Sequence, residues 1–126
     1  MIKLIFCLRR KEGMSVAQFQ SYWSEKHAPL VERHKDVLGI RRYVQSHSRE
    51  SALSLMIGAS RQGVAKEPAA PYDGVAELWY DSIEAMTANA DNPDVKAAGK
   101  ALLDDEAKFI DLANSPIFLS EEIEVI

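Results

Sequence analysis

A chain of 126 residues, 47% apolar and 27% charged, suits one domain with a single modest core and excludes a disordered or fibrous polymer. Fifteen basic against nineteen acidic residues leave a net charge of −4, which gives no general attraction to nucleic acid or anionic lipid. The apolar runs are too short for a transmembrane helix, the N-terminus lacks the order of charge, apolar run and cleavage site of a signal peptide, and the lone Cys7 forms no internal disulfide, so a reduced, cytoplasmic setting is expected.

Residues 2–9 read as a strand, with Ile2, Leu4, Phe6 and Leu8 forming one wholly apolar face. Gly13 breaks the chain, and Ser15 with Gln18 makes a capping box that opens a helix. Val16, Phe19, Tyr22 and Trp23 give it an apolar stripe. Pro29 disfavours helical backbone at Ala28, so the spacing predicts an end or bend near His27, then a shorter helical piece from Leu30 to Leu38 closed by Gly39. Residues 40–48 alternate as a second strand, with Ile40 and Val44 on one face and Tyr43, Gln45 and His47 on the other. Residues 49–71 read as an irregular connection holding a short helix at 51–59, with Gly58, Gly63, Pro68 and Pro71, and are expected to form a mobile lid beside a pocket. Asp73-Gly74 turns into a third strand over 75–80. Helices follow at 83–90 and 93–110, and Pro116 leads into a last strand over 117–126.

The order β-α-β, loop, β-α-β is that of a ferredoxin-like α+β fold, a four-stranded antiparallel sheet with helices on one face, in a single domain spanning 1–126. The second sheet face is assigned Ile5, Cys7, Tyr43, His47, Val75, Glu77 and Trp79. That mixture is too apolar for water and too polar for a dry core, and a second copy of the chain would cover it.

The stretch Phe19-Gln20-Ser21-Tyr22-Trp23-Ser24-Glu25-Lys26-His27-Ala28-Pro29-Leu30 resembles the signature of the EthD family, and Tyr72-Asp73-Gly74-Val75-Ala76-Glu77-Leu78-Trp79-Tyr80 is similar to its middle strand. The resemblance covers nearly all of the chain outside residues 49–71. It implies a homodimeric α+β barrel. It also implies a role near those of similar proteins, which are linked to ether breakdown, to dehydration or decarboxylation of aromatic polyketides, to lactone isomerisation or to cofactor-free oxygenation. The fold alone chooses none of these.

His27 is the leading candidate for chemistry, because an imidazole both takes and returns a proton near neutral pH and the residue lies within the family-like motif. The competing reading is a helix-terminal histidine bonded to free carbonyls. Tyr43 and His47, four apart on a strand, face the same way and could complete a catalytic cleft with His27; ordinary half-exposed strand positions are the alternative. Trp23 and Tyr22 are candidate walls for an apolar or aromatic ligand, although a core tryptophan is the commoner case. Glu77 and Trp79 complete the candidate substrate contacts, with Glu77 expected either to orient substrate or to pair with Arg9, Arg41 or Arg42. His34 is assigned to a solvated helix face. Three scattered histidines and one cysteine have no metal-ligand spacing, and no nucleotide or flavin motif is present, so no cofactor is expected. These readings point either to a cofactor-independent enzyme acting on a small apolar or aromatic oxygenated molecule, or to a non-catalytic accessory protein that binds one for a partner oxidoreductase.

Overall fold

The computed structural model describes residues 1–63 and 70–126. Pro68, within the expected lid, lies outside the described residues.

Strand β1 (Ile2–Leu8) is followed by helix α1 (Val16–Tyr22), a π-helical turn (Trp23–His27) and helix α2 (Ala28–Leu38). Strand β2 (Arg42–His47), helix α3 (Ala52–Gln62) and strand β3 (Gly74–Tyr80) come next, then helices α4 (Ile83–Ala88) and α5 (Pro93–Glu106), a short 3-10 turn (Leu112–Asn114) and strand β4 (Ile117–Ser120). The sheet order is β2-β3-β1-β4, antiparallel throughout. This is the ferredoxin-like α+β arrangement that the sequence pattern predicts.

Register fixes the two faces. Leu4 pairs with Leu78 and Phe6 with Ala76, while Tyr43 also pairs with Leu78, Gln45 with Ala76 and His47 with Gly74. All of these side chains therefore share the helix-covered face. The opposite face carries Lys3, Ile5 and Cys7 from β1, Arg42, Val44 and Ser46 from β2, and Val75, Glu77 and Trp79 from β3. The expected membership of that face is thus corrected: Tyr43 and His47 leave it for the helix side, and Val44 joins it. The alternation along β2 is as read, but nothing local to β2 says which of its two mixed faces meets the core.

Phe19, Trp23, Phe109 and Leu8 are the largest fully buried side chains. Phe19 stands 5.6 Å from Trp23 and 5.7 Å from Phe109 between ring centroids, within the range where tilted rings attract. Gly74 makes this packing feasible, because a Cβ there would collide with the Trp23 ring. Ser15 and Gln18 form the predicted capping box. The regular helix is interrupted where expected, near His27. One π turn intervenes, with the Ala28 N–H bonded to the Trp23 carbonyl, and Pro29 sits in the first turn of α2 where its missing N–H costs little.

Three boundaries differ from the sequence pattern. Helix α3 is longer than expected, capped by Ser51 and Ser54, and none of its residues is buried. Helix α5 ends at Glu106, and β4 pairs only to Ser120, leaving Ile123, Val125 and Ile126 exposed. No helix among the described residues is long and apolar enough to cross a membrane.

Candidate functional site

The π turn sets His27 on the inner side of the helix layer, 5% exposed and 5.1 Å from the Phe109 ring. Its Nδ1 lies 2.7 Å from Asp105 Oδ2. The Tyr22 hydroxyl donates to the other carboxylate oxygen at 2.6 Å. Asp105 therefore joins two helices through two charge-assisted hydrogen bonds. Burial lowers the His27 pKa and outweighs the neighbouring carboxylate, which favours the neutral ring. Burial pushes the Asp105 carboxyl up, but the bonds from Tyr22 and His27 prevail and hold it below its ordinary value. The Tyr22 hydroxyl, bonded to that carboxylate, is pushed up to about 12. An ionised Asp105 requires Nδ1–H as the donor, which leaves the Nε2 lone pair free to accept a proton. Nε2 has no hydrogen-bond partner among the described residues, and no fully buried side-chain nitrogen or oxygen there is unpaired, so Nε2 is not completely enclosed.

A second network lies on β2. Gln45 Nε2 donates to the Trp23 carbonyl at 2.9 Å and to the Tyr43 hydroxyl oxygen at 2.8 Å, while its Oε1 accepts from His47 Nε2 at 2.8 Å. The His47 ring stacks against Trp23 at 4.5 Å. Burial lowers the His47 pKa and raises that of Tyr43. Trp23 itself is 1% exposed and acts as packing between the helix layer and β3.

A cleft of about 260 Å³ opens between α2 and β2, lined by Ala28, Val31, Ile40 and Tyr43 with Glu32, Lys35, Arg41 and Arg42 at its rim. His27 is not in its wall, but the adjacent Ala28 is.

Five of the seven sequence-predicted site residues (His27, Tyr22, Trp23, Tyr43 and His47) thus meet on the helix side of the sheet. Glu77 and Trp79 do not join them. Glu77 bonds Lys3 at 2.7 Å on the opposite face, in place of the expected arginines. Trp79 lies between the Lys3 and Arg42 cations at 5.1 and 4.6 Å from its ring centroid, and its indole N–H donates to Glu122. His34 is half-buried on α2 rather than fully solvated.

Asp105, Glu106 and Gln45 are not among the candidates that the sequence pattern singles out. A signal existed for the acids. Asp104-Asp105-Glu106 places three carboxylates at a helix C-terminus, where the dipole disfavours them, and Asp105 falls in step with Ala98 and Leu102 on the buried stripe. Gln45 was legible as the residue between two inward-facing candidates. Among the described residues no group of three or more His, Cys, Asp or Glu side chains converges as a metal site.

A four-stranded antiparallel sheet backed by helices, with a carboxylate-held imidazole between the layers, defines a ferredoxin-like α+β domain with an interior polar site. The EthD domain matches residues 11–113, and the chain belongs to the EthD family. The fold is similar to that of an ethyl tert-butyl ether D family protein from Bacillus halodurans, at TM-score 0.62 and 21% identity over 98% of this chain and 99% of the other. An EthD-like protein from Ralstonia eutropha is similar at TM-score 0.57 and 19% identity, over 95% and 89%. A dimeric ferredoxin-like protein of unknown function from Bacteroides fragilis is similar at 0.55 and 13%, over 96% and 95%. A comparison with curated protein sequences found no match.

Proposed function

We propose that the protein is a cofactor-independent proton-transfer enzyme acting on a small apolar or aromatic oxygenated molecule, with His27 as the general base and acid. The observation that carries this reading is the 2.7 Å contact between His27 Nδ1 and Asp105, which orients a neutral imidazole and frees Nε2. Asp105 is the positioning residue. Tyr43 and His47, linked through Gln45, supply hydroxyl and imidazole groups on the facing strand. The apolar floor of Ala28, Val31 and Ile40 suits a ligand with little charge.

The working unit in this reading is a homodimer. The sheet face bearing Ile5, Cys7, Val44 and Val75 meets its equivalent in a second copy, with the Lys3–Glu77 pair at the seam. Similar structures from Bacteroides fragilis and Thermobifida fusca are described as dimeric, which supports this assembly.

The experiment begins with a thermal-shift screen of phenols, lactones and enolisable ketones. On a confirmed substrate, His27→Ala should cost about 100-fold or more in rate. Unchanged activity in that variant would overturn the assignment. The tight packing of His27 against Phe109 favours a second reading, a binding protein that holds such a molecule for a partner oxidoreductase. Saturable binding with no turnover would select it.

A further inference from the structure

Tyr43, Gln45 and His47 stand at alternate positions of β2, so their side chains form a row on the helix side of the sheet. The middle member of that row is held from three directions. Gln45 Nε2 lies 2.9 Å from the Trp23 carbonyl oxygen, which can only accept, so the amide nitrogen has to face the π turn. The second hydrogen of that nitrogen goes to the Tyr43 hydroxyl oxygen at 2.8 Å, and Oε1 faces His47 Nε2 at 2.8 Å. With the amide orientation settled, the polarity of both neighbours follows. His47 carries a proton on Nε2, because Oε1 has none to give. The Tyr43 oxygen receives a hydrogen from Gln45, so its own O–H is left to be given elsewhere, and no acceptor for it stands among the described residues.

Tyr43 also lines the cleft of about 260 Å³ between α2 and β2, together with the apolar side chains of Ala28, Val31 and Ile40. We propose that this cleft binds a small apolar molecule through a hydrogen-bond-accepting carbonyl oxygen, which takes the Tyr43 O–H, and that Gln45 is the positioning residue that keeps that hydrogen free for the ligand. The inference rests on the reading of the cleft as the ligand site, and it is independent of His27 as a base. It narrows the ligand class. A ketone or ester carbonyl completes the hydroxyl's bonding, whereas a hydrocarbon of the same shape leaves a polar hydrogen without an acceptor. Burial pushes the Tyr43 phenol up and outweighs the bonds from Gln45 and Trp23, so the hydroxyl keeps its proton at neutral pH and remains a donor.

Changing the polarity at position 45 separates this role from a merely structural one. In Gln45→Glu the carboxylate has no hydrogen to give. It accepts the Tyr43 O–H instead, and the cleft loses its donor while the phenol ring stays in its wall. Tyr43→Phe removes the same donor directly. The two changes should therefore act alike on a ligand that carries a carbonyl and spare one that does not. Combined, they should cost no more carbonyl affinity than either alone, because both remove a single interaction.

The test uses the full chain, with acetophenone as the carbonyl probe and ethylbenzene as its hydrocarbon counterpart, and follows binding by NMR of methyl-labelled protein. Wild type should bind both probes, with shifts at the methyl groups of Ala28, Val31 and Ile40. Tyr43→Phe should weaken acetophenone about tenfold and leave ethylbenzene unchanged. Gln45→Glu should reproduce that pattern. Should that variant not fold, Tyr43→Phe and the wild-type His47 ring still decide the matter, since the neutral ring should carry its proton on Nε2 in a 15N spectrum. Unchanged acetophenone affinity in Tyr43→Phe, in a protein whose wild type binds both probes, would overturn the donor and leave the cleft as a ligand site. Equal losses for the two probes would also overturn it, making Tyr43 a packing wall. Wild-type affinity for acetophenone in a folded Gln45→Glu variant, or a neutral His47 protonated on Nδ1, would overturn the positioning role of Gln45. Failure of wild type to bind either probe, or shifts confined to residues outside the cleft, would overturn the reading of the cleft itself.

Discussion

Three ionisable side chains at the junction of the π turn and α5 are displaced from their ordinary behaviour, and they pull stability in opposite directions with pH. His27 has a folded pKa below its unfolded value, so the stability tied to its neutral form falls as pH drops below 6.5. Asp105 is also lowered, and what it contributes is present above 3.8 and lost as pH falls through its folded value. Glu106 runs the other way. Its pKa rises from 4.5 to about 7, so its contribution is fully present below 4.5 and is lost as pH rises through about 7. Glu106→Gln removes the charge at every pH. It should therefore stabilise the protein at pH 8 by on the order of 3 kcal/mol and change little at pH 4.5. Urea denaturation of wild type and variant at the two pH values checks this. Equal stability of the two proteins at pH 8 would mean that Glu106 is ordinarily solvated.

At the scale of elements, the site depends on how a helix passes a proline. The sequence pattern predicts an end or bend near His27 and a shorter helical piece closed by Gly39, and a π turn stands there between α1 and α2. That turn sets Trp23 and His27 inward together, and the Trp23 carbonyl accepts from both Ala28 and Gln45. The strands were legible because their alternation is strong. The face of β2 was not, since Tyr43 and His47 look no more interior than Val44 until register with Ala76 and Leu78 is known. Asp105 and Glu106 escaped notice because acidic residues near a helix end ordinarily read as solvated surface. Gly74 holds the arrangement on the strand side. Gly74→Ala would drive a Cβ into the Trp23 ring, and we expect a loss of about 1–3 kcal/mol in denaturant unfolding together with disturbed Trp23 fluorescence. Wild-type stability in that variant would show that the Trp23–His47 stack can shift at no cost.

For the whole molecule, one sheet face is covered by helices and the other is left with Ile5, Cys7, Val44 and Val75 around a lysine–glutamate pair. Such a face is costly in water, and pairing it with a second copy removes apolar area from solvent while the Lys3–Glu77 pairs stay near the seam. Light scattering at micromolar concentration should give twice the 14.1 kDa chain mass, and a monomer would contradict the assembly. Whatever the assembly, proton transfer at His27 requires a neutral ring with its proton on Nδ1 and its Nε2 free. A 15N NMR titration of the histidine ring measures this with no substrate present. The Nδ1–H tautomer at pH 7 and a midpoint below 6.5 are expected. An imidazolium at pH 7, or a neutral ring protonated on Nε2, would contradict it.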